Sequence, residues 1–129
     1  MPTAGGALVP GFDTLFSGQL GYQTPSPLPA VTQATSRTTG VLLHALAGAI
    51  TMFAAAGSAT AATFTVTNNQ VQAGDIILLN VRSATNLYEL FVTAVANGSF
   101  NITFFTTGGT SSDSPIINFA VFKVVPVSP

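Results

Sequence analysis

The chain has 129 residues, enough for one domain, and only 5% of them are charged, against about 25% in an ordinary soluble protein. Three bases and four acids leave a net charge of -1. Arg37, Arg82 and Lys123 cannot form the basic stripe that nucleic-acid binding needs, and with no cysteine there is no disulfide framework and no thiolate metal centre.

Residues 1–30 differ from the rest. Pro2, Pro10, Pro25, Pro27 and Pro29 stand there with Gly5, Gly6, Gly11, Gly18 and Gly21. Proline fixes φ and removes a donor, so neither a helix nor a central strand is expected. Phe12, Leu15, Phe16, Leu20 and Tyr22 are large apolar groups that a solvated tail would not carry. The segment therefore reads as an extended N-terminal arm that docks on something, followed by a β domain over residues 31–129.

Val41–Ala62 is a 22-residue stretch without a formal charge, about the length that crosses ~30 Å of hydrocarbon. His44, Thr51, Ser58, Thr60 and two glycines argue against a span. The preferred reading breaks it into short strands, Val41–His44 and Ala49–Phe53, around Gly48. The first residues show no basic stretch ahead of an apolar run, and no secretory signal is expected.

The clearest β signal is Tyr88–Thr107. Asn97-Gly98 suits a type I′ turn, which pairs Ala96 with Ser99, Val95 with Phe100, Thr93 with Ile102 and Phe91 with Phe104. That register puts Phe91, Val95, Phe100, Ile102 and Phe104 on one core face. Thr63–Thr67 alternates with Phe64 and Val66 inward, and Ile116–Val125 with Ile117, Phe119 and Val121 on one side. The run Asp75–Val81 is apolar enough to predict burial on both faces. Polar punctuation separates these runs. Seven or eight strands at roughly 8–12-residue spacing describe an all-β antiparallel sandwich, jelly-roll or related.

Chemistry is scarce. The acids are Asp13, Asp75, Glu89 and Asp113, and the one imidazole is His44. No G-x-S-x-G elbow, metal-ligand spacing or Ca²⁺ loop is present. Asp75 reads as a turn residue accepting backbone amides. Asp113 and Asp13 read as solvated or capping, His44 as a surface or interface side chain, and Glu89 as bound to a cross-strand or intersubunit partner such as Arg82. The sequon Asn101-Ile102-Thr103 falls mid-strand and reads as chance. No catalytic residue, metal or cofactor is expected.

From Val31 onward a resemblance enters. Val31-Thr32-Gln33, the run Ala34-Thr35-Ser36-Arg37-Thr38-Thr39-Gly40-Val41 and Gly48-Ala49-Ile50-Thr51-Met52 resemble a module found in tailed-bacteriophage virion proteins. The likeness continues through Phe64-Thr65-Val66-Thr67-Asn68, Asp75, Ala96 to Phe100, Thr107-Gly108-Gly109 and Phe119-Ala120-Val121, and covers about residues 22–125. Leu42 to Ala47 departs from it, being more apolar than the Asn- or Lys-bearing pattern at that place. The resemblance implies a capsid decoration, cement or head-fibre protein: a non-enzymatic β domain, usually trimeric, clamped on the outside of the head.

These readings combine into a virion cement protein whose partners are the major capsid protein and copies of itself, with no nucleic acid and no membrane. Phe12, Leu15, Phe16, Leu20 and Tyr22 are the expected capsid contacts. A second expectation is a tail-fibre or receptor-binding domain that recognises a glycan, with Tyr88 and Tyr22 as its exposed aromatics. A third is a small membrane protein centred on residues 41–62.

Overall fold

Period-two alternation needs a partner layer for each apolar face, and the chain supplies two. The computed structural model describes residues 18–126; Phe12, Asp13, Leu15 and Phe16 lie outside the described residues. The first sheet runs in the order β1 (Ala30–Thr32), β3 (Ala47–Thr51), β10 (Ile116–Phe122), β6 (Ile76–Ser83). The second runs β2 (Val41–Leu42), β5 (Ala62–Thr67), β8 (Ser99–Gly108), β7 (Leu87–Ala96). A small ribbon joins β4 (Ala55–Ala56) to β9 (Ser112–Asp113). The described residues are all-β, as the alternation predicts.

Most pairings are antiparallel, but β1 runs parallel to β3 and β2 parallel to β5. The cause is the path of the chain. It lays β1 on one sheet, crosses to add β2 to the other, then returns as β3.

One cluster fills the space between the sheets: Ile50, Ile77, Ile117, Phe119 and Val121 from the first, and Val41, Phe64, Val66, Tyr88, Phe100, Ile102 and Phe104 from the second. The Phe100 and Phe119 rings meet across the layers, with centroids 5.5 Å apart and planes tilted by 58°. Such tilted pairs add about 0.5–1.5 kcal/mol beyond their burial.

Four sequence expectations need correction. The run 76–81 is not buried on both faces. β6 is an edge strand of the first sheet, so Ile77 and Leu79 turn inward while Ile76 and Leu78 face out.

The hairpin register is also different beyond its tip. Ala96 does face Ser99 and Val95 faces Phe100, but then Ala94 faces Asn101 and Val92 faces Ile102, which makes Thr93 a bulge. One extra residue inverts the parity of everything before it. Leu90 and Tyr88 point inward, and Phe91 faces solvent.

The turn itself is not type I′. Gly98 has φ +88°, whereas no non-glycine among the described residues has positive φ, so only the second central position is left-handed. Tertiary contacts set this geometry. Gly98 donates its amide to Val71 O and accepts from Asn68 N, both at 2.9 Å. The Asn97 side chain accepts from Ala73 N at 3.0 Å.

Lastly, no helix of the described residues is long and apolar enough to cross a membrane; residues 41–62 form β2, β3, β4 and the first residue of β5.

Candidate functional site

The outer face of the first sheet is apolar at one end, with Asn80 and Asn118 paired further along it. Alternation on β6 and β10 turns Ile76, Leu78, Ala120 and Phe122 away from the core. Leu78 is 53% exposed and Phe122 56%. The described end of the arm runs over this face. Leu20, Tyr22 and Leu28 join Ala47, Leu78, Ala120 and Phe122 around a groove of about 550 Å³. The Tyr22 hydroxyl donates to the carbonyl of Val121, while Leu20 is 74% exposed. Of the five expected capsid contacts, these two are therefore brought together on the sheet; the other three fall outside the described residues.

A polar node lies at one end of the sandwich. Arg37 is buried, and each of its three guanidinium nitrogens donates. Nε donates to Phe53 O, Nη1 to the Tyr88 hydroxyl and Nη2 to Ala55 O, each at 2.8 Å. Nη2 also reaches the Asp113 backbone carbonyl, and it stands 3.2 Å from Asp113 Oδ1. The Tyr88 hydroxyl donates to that same carboxylate oxygen. Oδ2 accepts the amides of Thr85 at 2.6 Å and Asn86 at 3.1 Å.

Burial pushes the Asp113 carboxyl up, but the hydrogen bonds from Tyr88, Asn86 and Thr85 and from Arg37 outweigh it, so it sits below its ordinary value. Burial and the adjacent carboxylate raise the Tyr88 phenol. Asp113 is thus neither solvated nor merely capping, and Tyr88 is no exposed platform for a glycan. The sequence missed this node because its members are 51 and 76 positions from Arg37. The Thr93 bulge is what turns Tyr88 toward it.

Two buried amides organise the loops in the same way. Gln33 donates to the carbonyls of Arg37 and Thr39 and accepts from Phe53 N, all at 3.0 Å. Asn68 bonds both the carbonyl and the amide of Ala45. Asp75 accepts amides from Gln72 and Val124, as expected, and additionally pairs with Lys123 at 2.5 Å. Burial raises its carboxyl, but Lys123 and the two amides bring it below the ordinary value. His44 is exposed and accepts from Asn69 N at 2.9 Å. Among the described residues of the chain, Glu89 and Arg82 form no ion pair with each other.

The outer face of the second sheet has a different chemistry. The Thr103 hydroxyl bonds those of Thr63 at 2.7 Å and Thr93 at 2.8 Å, so one relay crosses three strands. Thr65 donates to Asn101 Oδ1 at 2.8 Å. Beside this row the rings of Phe91 and Phe105 lie near-parallel, 19° apart in plane and 5.9 Å between centroids.

No known family, curated protein or solved structure matches the chain. Among the described residues no group of three or more His, Asp or Glu side chains could hold a metal ion.

Proposed function

We propose that this protein is a structural virion component, a cement or decoration protein bound to the outside of a bacteriophage capsid and acting as a homo-oligomer, a trimer. What supports the reading is the apolar groove on the outer face of the first sheet, whose lining carries no charged side chain, with the described end of the arm lying along it. A contiguous exposed apolar surface of this kind marks an interaction site on a soluble domain.

The arm, residues 1–30, is the principal capsid-contacting element, and Phe12, Leu15, Phe16, Leu20 and Tyr22 supply its grip. Each contributes roughly 1.5–3 kcal/mol when buried. Its five prolines reduce the freedom lost on docking. A clip that binds only the assembled shell stabilises it by mass action. Because Phe12, Leu15, Phe16, Leu20 and Tyr22 are uncharged, their grip resists changes in salt.

The test mixes the full-length protein with heads purified without it, beside a Phe12→Ala, Phe16→Ala variant. Wild type should co-sediment and raise the temperature at which heads open, and the variant should lose most of both effects. Equal binding by the two proteins would remove the arm as the clamp. Gradient-purified particles that carry a few copies rather than hundreds would move the protein from head to tail.

A further inference from the structure

The second sheet turns outward a surface that the cement reading leaves unused. Phe91 stands on β7 directly opposite Thr103 on β8, and Glu89 stands opposite Phe105. The two rings are thus diagonal neighbours, and Phe91 is 48% exposed although nothing obliges a large apolar ring to be there. Next to them lie the hydroxyls of Thr63, Thr103 and Thr93. Three hydroxyls hold three protons, and two of these are used within the relay. One donor and several lone pairs remain for another molecule. Asn101 gives its carbonyl oxygen to Thr65 and keeps its NH₂ group for an acceptor.

We infer that this face binds a neutral oligosaccharide chain, with Phe91 and Phe105 against the C–H faces of its rings and Thr63, Thr93, Thr103 and Asn101 bonding its hydroxyls. A sugar ring has the same two-sided chemistry as the surface, apolar on one face and rimmed by groups that both donate and accept. A protein partner would cover the hydroxyl row with fewer matching groups and leave some of it unsatisfied. The ligand is neutral because Glu89 is the one charged residue on β2, β5, β7 and β8. An acidic polysaccharide would meet that carboxylate and no cation. The inference is independent of the capsid, since the isolated chain carries the whole face.

Isotope-labelled full-length protein is titrated with cellohexaose, maltohexaose and xylohexaose at millimolar concentrations, and backbone amide shifts are followed. At least one sugar should move the signals of Phe91, Thr103 and Phe105 while leaving the opposite sheet unchanged. Phe91→Ala should weaken that binding about tenfold, the loss of one aromatic contact of roughly 1.4 kcal/mol, and Phe91→Tyr should restore it. Thr103→Val should weaken it without altering the fold. Absence of shifts with all three sugars overturns the inference, as do shifts that persist in a Phe91→Ala, Phe105→Ala variant. A change of oligomeric state in Phe91→Ala, with no response to sugar, identifies the face as a contact between copies and also overturns it.

Discussion

The Arg37 guanidinium carbon stands 5.5 Å from the centre of the Tyr88 ring while Nη1 donates to the hydroxyl of the same ring at 2.8 Å. With Asp113 Oδ1 accepting from both, the pair joins the loop after β1, strand β7 and the β4–β9 ribbon into one closed unit.

Removing Arg37 strands a buried carboxylate. Arg37→Ala should cost about 3–5 kcal/mol, the usual result of breaking a buried pair from one side. Asp113→Asn should cost less than Asp113→Ala, because the amide oxygen still accepts one bond. The combined Arg37→Met, Asp113→Leu change should be milder than the sum of the single losses. Urea denaturation checks all of these. Strict additivity would mean that the two groups do not act together.

Acid should act through the same carboxylates. Asp75 and Asp113 lie below the ordinary 3.8, so the unfolded chain takes up their protons first as pH falls. Their stabilisation is complete above about pH 4 and is lost as pH drops through the lower folded values. Tyr88 behaves oppositely. Its phenol is raised above 10.0, so its contribution is complete below that pH and is lost as pH rises through the folded value. The thermal midpoint should stay level between about pH 5 and 9 and fall on both sides. Asp113→Asn should flatten the acid limb, and an unchanged limb would locate the acid sensitivity elsewhere.

Thr93 tests the bulge. Deleting it closes the ladder without changing any other pair, so Val92 stays opposite Ile102, Tyr88 and Leu90 stay inward and Phe91 stays outward. The loss should stay well below the ~3 kcal/mol of the polar node, read as a midpoint little changed in chemical denaturation, and a loss of that size or more would contradict the bulge. Phe100→Ala should cost about 3–5 kcal/mol as a buried ring, whereas Phe91→Ala should stay within about 0.5 kcal/mol. Similar losses at Phe91 and Phe100 would contradict the observed register.

Glycines separate strain from crowding. Gly98 has φ +88° but open space where a Cβ would go. Gly109 has φ +94°, and its Cβ would stand 2.3 Å from Asn86 Oδ1. Gly98→Ala should therefore cost about 1–2 kcal/mol, from the left-handed backbone alone. Gly109→Ala should cost more, because Asn86 is held by its bond to Ser111 O at 2.6 Å and cannot swing aside freely. Equal costs would show that Asn86 yields.

How far the sequence could be read follows from what is local. Phe64 and Val66, or Ile117, Phe119 and Val121, declare their face by alternation, and both faces are observed as expected. A two-residue turn fixed the first two pairs of the hairpin, and nothing local marked Thr93 as an extra residue. The left-handed state of Asn97 failed to appear because Asn68, Val71 and Ala73 hold the turn from outside. The node of Arg37, Tyr88 and Asp113 was hidden for the same reason. Each member looks like an ordinary loop or strand residue until the fold brings distant segments together. The groove under Tyr22 was half legible, since the arm's apolar residues were evident and the sheet face that receives Leu20 and Tyr22 was not.

The parallel pairing of β1 with β3 has a mechanical consequence. A tether ahead of Ala30, pulled along the strand axis, loads the Ala30–Ala49, Val31–Ile50 and Thr32–Thr51 rungs together. Rungs loaded in shear must fail at once, whereas a sideways pull opens them singly like a zipper. Ahead of them, the Tyr22 hydroxyl on Val121 yields first and takes up slack. A body held by its N-terminal arm would thus resist force along one direction far better than across it, and single-molecule pulling through residue 18 along and across that axis should give two distinct rupture forces.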